Sequence, residues 1–183
     1  WIQGGVTSRP GSKRPTFAQD GARLDLRALI WTVVPPWPLV TDRPLAFGDV
    51  EGGTLAFGNK GDPVDSAAGG FYDQRLAEWR SLPLPTERTG YWHAAIVRGR
   101  LFAVFHDEAG RLRSFEFDTS AFRWITGPEC PQSMTAVRST SLVVNSRLVV
   151  WGQKEEEAPR TFNNLDCAVC YDCDTRAWIS INA

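Results

Sequence analysis

Short apolar runs separated by polar or glycine-containing turns recur along the chain. Three of these turns are Gly52-Gly53, Arg98-Gly99 and Asn145-Ser146, and the apolar runs that follow them are residues 54–57, 101–105 and 148–151. A short turn between two apolar runs predicts a β-hairpin. No stretch of the chain shows a helical period of apolar residues. The pattern therefore predicts an all-β protein.

The hydrophobic pattern of one unit predicts four strands, at residues 93–97, 101–105, 112–117 and 123–126. The second strand is apolar at nearly every position, which is typical of a strand covered on both faces. The third strand alternates apolar and polar side chains, as a half-exposed strand does. Sheets that are covered on both sides by similar sheets are the blades of a β-propeller.

A repeat of aspartate and tryptophan supports this reading. Four tryptophans each follow an aspartate by six residues, and they recur at intervals of 48, 45 and 54 residues. The pairs are Asp25 and Trp31, Asp73 and Trp79, Asp118 and Trp124, and Asp172 and Trp178. A period near 50 residues indicates a copied supersecondary unit, of which these eight residues are the predicted structural anchors. Prolines four positions after three of the tryptophans (Pro35, Pro83, Pro128) are predicted to end a strand.

These motifs resemble the repeat of the kelch β-propellers. The resemblance rests on Phe71-Tyr72-Asp73, Trp79 and Leu82-Pro83, and again on Tyr171-Asp172 and Trp178. The repeats are degenerate, because the family's double glycine is intact only at Gly4-Gly5 and its proline after the aspartate is absent. The resemblance implies a kelch-like β-propeller of four-stranded antiparallel blades, with about three complete blades and a partial one.

The expected blades divide the chain into four segments of one propeller domain. Residues 1–35 form a partial first blade made of strands two to four, and residues 40–85, 88–128 and 134–183 form the complete blades. Three complete blades leave open sheet edges unless something covers them. We expect a longer polypeptide to supply the remaining blades; a partner chain and a small ring that closes on itself are the alternatives.

Composition narrows the classes of partner. The chain is 43% hydrophobic, with eight Trp and ten Phe in 183 residues, which suffices for a sizeable core. Its formal net charge of −1 argues against a dedicated nucleic-acid surface. No apolar run reaches the roughly 18 to 20 residues that span a bilayer. We therefore expect neither nucleic acid nor a membrane as partner.

The cysteines are predicted to be structural thiols. Cys167, Cys170 and Cys173 have a spacing that in a loop could bind zinc or an iron–sulfur cluster. The repeat places them on a strand, where alternate side chains face opposite sides, so no metal site is expected. Cys130, which is predicted to lie in a loop, leaves a disulfide with one of them as an open alternative. Reduced thiols favour an intracellular, cytoplasmic location.

Catalysis by this segment is not expected. Some members of the family that this sequence resembles are enzymes, the copper-containing galactose oxidases, whose copper site needs two histidines, two tyrosines and a nearby cysteine. This chain has two histidines in all, and His93 stands where kelch repeats carry a packing or hydrogen-bonding histidine. The sequence offers no nucleophile with an obvious base and no phosphate-binding loop. No cofactor is therefore expected, and a galactose-oxidase-like or carbohydrate-binding secreted propeller is the alternative reading.

The leading expectation is a protein-interaction propeller. In a four-stranded meander, the links between strands two and three emerge at the same end as the links between blades, and loops on a rigid frame favour binding. The resemblance implies that arginines and aromatic residues at the inner mouth of this face hold a partner. The matching residues, each with blade packing as its alternative role, are Arg43, Arg88, Tyr91, Trp92 and Arg138. The predicted role is substrate recognition in a ubiquitin-ligase adaptor of the F-box or BTB kind, or a scaffold subunit.

Overall fold

The structure is a computed structural model, and it describes residues 2–7, 16–36, 43–60, 66–85, 92–107, 111–134, 139–152 and 167–181. Within these ranges the chain forms fifteen strands and no helix. No helix that could cross a membrane is therefore found in the described part.

The strands form four sheets in chain order. The first sheet is β1 (Ile2–Thr7), β2 (Thr16–Asp25) and β3 (Ile30–Val34). The second sheet is β4 (Arg43–Val50), β5 (Gly53–Lys60), β6 (Ser66–Asp73) and β7 (Glu78–Ser81). The third sheet is β8 (Trp92–Val97), β9 (Arg100–His106), β10 (Arg111–Asp118) and β11 (Arg123–Ser133). The fourth sheet is β12 (Thr140–Val144), β13 (Arg147–Gly152), β14 (Cys167–Asp172) and β15 (Ala177–Ile181).

Every sheet is an antiparallel meander in which strands that follow one another in sequence are neighbours. The all-β prediction with four-stranded antiparallel sheets is confirmed for three sheets, and the first sheet has three strands in the described part. The predicted strands of the third sheet match β8, β9 and β10 to within one residue at each end.

The last hairpin of each sheet is closed by the same turn. Its aspartate accepts two backbone N–H groups through Oδ1, from the residues two and three positions later, at 2.8 to 3.1 Å. The fourth turn residue has a positive φ of 50° to 56°; these residues are Leu29, Ala77, Phe122 and Arg176. Since aspartate readily forms such local turns, the repeated Asp shapes each hairpin.

The repeated tryptophans join each sheet to the preceding one. The indole Nε1–H of a tryptophan donates to the carbonyl oxygen of the proline that follows the last strand, or lies within it, one sheet earlier. The three pairs are Trp79 to Pro35 (3.0 Å), Trp124 to Pro83 (2.7 Å) and Trp178 to Pro128 (2.9 Å). The Trp and Pro of the sequence repeat are therefore the two halves of one contact between sheets. Trp31 of the first sheet is 52% exposed.

The core lies in two layers, one on each side of the third sheet. The layer shared with the second sheet includes Phe57, Trp92 and Phe105. The layer shared with the fourth sheet includes Phe102 and Tyr171. All residues of β9 from Leu101 to His106 are buried because the strand is covered on both faces, as its continuous apolar pattern predicts.

The prediction that Pro128 ends a strand was wrong. β11 continues to Ser133. In its register with β10, Thr126 faces Phe115 and Glu129 faces Arg113, so one extra residue is accommodated as a bulge. A proline is tolerated there because an outermost strand does not need every N–H for its ladder.

Two cysteine placements were also wrong. Cys130 lies within β11 rather than in a loop, as a consequence of the longer strand. Cys173 lies in the turn after β14 rather than on the strand. All four thiols are free and buried. In the described part of the chain, no group of three or more His, Cys, Asp or Glu side chains is placed to hold a metal ion.

Candidate functional site

Of the five predicted partner-binding side chains, the structure describes Trp92, which begins β8. It is 2% exposed, and its ring packs against Phe105, Phe57 and Phe115 at centroid distances of 4.7, 5.7 and 5.9 Å. Trp92 is therefore packed in the core, which agrees with the alternative role in packing that the sequence left open. Its indole N–H has no acceptor among the described residues. Arg88, Tyr91, Arg138 and the side chain of Arg43 lie outside the described residues.

The two ends of the sheets differ. The turn end carries the four repeated aspartate turns. The link end of the third sheet is where β9 finishes, β10 begins and β11 finishes, because Arg111 pairs with Ser133 across the ladder. The predicted binding face corresponds to this link end.

A charged network occupies the link end of the third sheet. Its centre is Asp107, whose side chain is 1% exposed and accepts the backbone N–H of Arg111 at 3.0 Å. The Asp107 carboxylate also forms ion pairs with the guanidinium groups of Arg111 (3.1 Å) and Arg113 (3.3 Å). The buried Asp107 carboxylate therefore fixes the positions of both guanidinium groups through charge-assisted hydrogen bonds.

Glu129 completes the network from the neighbouring strand. Its carboxylate lies 3.3 Å from the Arg111 guanidinium and 3.6 Å from that of Arg113. The two arginines and Glu129 are partly exposed, whereas Asp107 is not. Two positive and two negative charges therefore meet at an accessible surface. A carboxylate of a binding partner that displaced Glu129 from the two arginines would leave the charge balance of the network unchanged.

The sequence reasoning missed these four residues. Their signal was the pair of arginines two positions apart at the start of β10, since residues two apart on a strand share a face. Asp107 and Glu129 come from flanking segments, and only the register brings them alongside the arginines.

A second polar cluster lies at the link end between the third and fourth sheets. His93 and His106 are buried, with their Nε2 atoms 3.3 Å apart. The Ser139 hydroxyl lies 2.9 Å from Nε2 of His93 and 3.0 Å from Nε2 of His106. Nδ1 of His93 is 3.1 Å from the Ser141 hydroxyl, and Nδ1 of His106 is 3.2 Å from the carbonyl oxygen of Met134.

One arrangement of protons satisfies this cluster. Because a carbonyl only accepts, His106 must donate from Nδ1 and accept at Nε2 in its neutral form. When Ser139 donates to His106, it accepts from Nε2–H of His93, and Nδ1 of His93 accepts from Ser141. The result is a directed chain of hydrogen bonds, Ser141 to His93 to Ser139 to His106 to Met134, which we call the histidine–serine relay.

Burial keeps both imidazoles neutral. Burial, and to a smaller extent the neighbouring His106, lower the pKa of His93 to about 3. Burial also lowers the pKa of His106 to about 4, against the opposing effects of the Met134 carbonyl and Asp107. An imidazole with so low a pKa is a weak general base at neutral pH. The relay is therefore suited to joining the two sheets rather than to proton abstraction.

The buried thiols are chemically quiet. Burial raises the pKa of Cys130 to about 11 and that of Cys173 to about 12, so neither is a thiolate at neutral pH. Cys167 donates its S–H to Oε1 of Gln132 at 3.2 Å. These contacts fit the structural role predicted for the thiols.

Comparison with known proteins bears on the fold. No protein-family model and no curated protein matches the sequence. A solved structure described as "Structure of YjhT" superposes on 90% of this chain with a TM-score of 0.56 and 14% sequence identity. This chain covers 59% of the length of that chain. At such low identity the likeness concerns the arrangement of the backbone alone.

Proposed function

We propose that the chain is a section of a kelch-like β-propeller and serves as a non-catalytic protein-interaction module, binding its partner at the link end. Substrate recognition in an intracellular adaptor and service as a scaffold subunit both fit this role.

The propeller proposal is supported by the contact that joins successive sheets. The same tryptophan-to-proline hydrogen bond occurs between the first and second, second and third, and third and fourth sheets. The contact always runs from the tryptophan of one sheet to the proline of the preceding sheet. Each sheet is therefore placed against the previous one in the same way, as the blades of a propeller are.

The observation that carries the binding proposal is the charged network at the link end. The aspartate turns at the other end are copied in every sheet and are explained by the repeat, and the ion pairs of Arg98, Arg100 and Arg176 at that end join the third sheet to the fourth. The arginine pair occurs once: by distance from the repeated aspartate, the residues equivalent to Arg113 are Asp20, Ala68 and Cys167. A charged network that the repeat does not require, held rigidly at an accessible surface, is typical of a recognition site.

Site-specific photo-crosslinking tests the proposal. A photoreactive residue at Glu129, at the link end, is compared with one at Arg75, in the exposed β6–β7 turn at the turn end. Exposed to extract from the natural source, the Glu129 probe should capture a defined protein that mass spectrometry identifies, and the Arg75 probe should not.

A second variant tests whether the network itself contributes. Arg111→Gln should reduce crosslinking from the Glu129 position at least about fivefold, since a partner's carboxylate would lose a charged donor. Arg75→Gln at the turn end is the matched control and should leave it unchanged. Equal capture from both ends, or capture that is insensitive to Arg111→Gln, would contradict a link-end binding site.

A further inference from the structure

The outermost strand of the first sheet, β3, is unusually apolar at its surface. Ile30 is 61% exposed, Trp31 52% and Val33 81%. In the described part of the chain no strand pairs with its outer edge, because β3 ends its sheet. An exposed apolar edge strand is a template for pairing with another strand.

The repeat itself shows that a further sheet would not cover these residues. By distance from the repeated tryptophan, the equivalents of Ile30 are Glu78, Arg123 and Ala177, and all three are exposed. The described equivalents of Val33 are Ser81 and Thr126, which are exposed as well. The second, third and fourth sheets each have a neighbouring sheet on their tryptophan side. The positions equivalent to Ile30 and Val33 are therefore exposed even where such a neighbouring sheet is present.

The two side chains also point to opposite faces of the sheet. Ile30 and Val33 are three positions apart on one strand, so they lie on different faces. A sheet packed against one face would contact only one of them. A strand added along the edge of β3 would contact both, because its side chains also alternate between the faces.

We propose that β3 is a dimerisation edge, at which two copies of this chain pair β3 against β3 in antiparallel fashion. The paired strands continue the β2–β3 ladder across the two copies. A two-fold axis at Thr32 places Trp31 opposite Val33, a cross-strand combination of aromatic and β-branched side chains that stabilises sheets.

The absence of charge on β3 favours a second copy of the chain as the strand that pairs with its edge. β3 reads Ile-Trp-Thr-Val-Val and carries no charge, so two copies meet without repulsion. The outermost strands of the second and third sheets carry charges within the same stretch, Glu78 and Arg80 in β7 and Arg123 in β11. The outermost strand of the fourth sheet, β15, is also uncharged, but its Ile179 (40%) and Ile181 (39%) are less exposed than Ile30 and Val33. Charged side chains on an edge strand discourage such pairing. β3 lacks that protection and is complementary to itself.

Sedimentation equilibrium of the purified 183-residue chain tests the proposal, with Val33→Lys as the variant. The wild type should form a discrete dimer at micromolar concentration, and the lysine should raise its dissociation constant at least about tenfold by placing charge on the paired edge. Val33 is exposed, so the melting temperature of the diluted variant should stay unchanged. Ser81→Lys, at the equivalent position of β7, is the matched control and should dimerise like the wild type.

A cysteine at the proposed axis tests the strand register. Thr32→Cys should form a disulfide-linked dimer with oxidised glutathione, because the two copies of residue 32 face each other across the axis. A wild-type chain that is monomeric at about 100 µM would overturn the proposal. So would an open series of larger species, a Ser81→Lys variant that dissociates equally, or a Thr32→Cys variant that forms no linked dimer.

Discussion

The first and third sheets share one repeat but differ in what surrounds them. Asp25 and Asp118 make the same two turn hydrogen bonds, at almost the same distances. Trp31 is half-exposed, whereas Trp124 donates to Pro83 and packs on Phe57 and Phe117. The turn is therefore a local property of the sequence, while the tryptophan contact requires a neighbouring sheet.

The largest contrast is expected in the core. Phe102→Ala should lower the free energy of unfolding by about 4 kcal/mol, since the ring is fully buried between the third and fourth sheets and lies 6.1 Å from that of Tyr171. Ile30→Ala in the first sheet should change it by less than about 0.5 kcal/mol at a concentration where the chain is monomeric. Urea unfolding measures both, and similar losses would mean that the first sheet is covered.

The repeated tryptophans should differ next. Trp124→Ala should cost about 3 kcal/mol, through lost ring packing and a lost donor to Pro83. Trp31→Ala should cost less than about 1 kcal/mol, since Trp31 is half-exposed. Thermal unfolding checks the pair, and equal costs would contradict the role of the neighbouring sheet.

The histidine–serine relay should make stability fall in acid. The unfolded imidazoles take up protons near pH 6.5, but the folded ones do so near pH 3 for His93 and pH 4 for His106. Between these limits the unfolded chain binds more protons, so the stability present above pH 6.5 is lost as the pH falls.

Between pH 6 and pH 5 the loss from the two histidines is about 2 kcal/mol. Urea unfolding at each pH measures it, and His106→Gln, which removes one titrating group, should have a shallower slope. A wild-type stability that does not change over this pH range would show that the imidazoles are not held neutral.

The smallest effects are expected at the aspartate turns. Asp25→Ala and Asp118→Ala should each speed hydrogen exchange of the two turn amides that lose their acceptor, with little change elsewhere. Because the turn is local, the changes should be alike in the first and third sheets. NMR-detected exchange tests this, and a change in one sheet alone would mean that the turn depends on its neighbours.

Much of the fold was predictable because the repeat depends on interactions between residues that are close in sequence. Glycine and asparagine turns located the hairpins, and the continuous apolar run of β9 indicated a strand buried on both faces. The length of β11 was not predictable, since only its register with β10 shows that Pro128 lies in a bulge. Trp92 was assigned to a partner-binding mouth because position along the repeat does not distinguish a packed aromatic from an exposed one.

The site was less predictable than the fold. The Asp107 network and the histidine–serine relay join residues from separate strands, which no short motif records. Glu129 reaches the arginines of β10 only through the bulged register of β11. Both clusters therefore depend on tertiary placement, whereas the aspartate turns depend on four consecutive residues.

Hydrogen exchange of the indole N–H groups, followed by NMR, tests the central claim most directly. The account predicts slow exchange at Trp79, Trp124 and Trp178, which donate to proline carbonyls of the preceding sheet, and fast exchange at Trp31. Equal exchange at all four tryptophans would contradict the claim that, within the described part of the chain, one repeated contact joins the second, third and fourth sheets each to the sheet before it and that Trp31 has no such acceptor there.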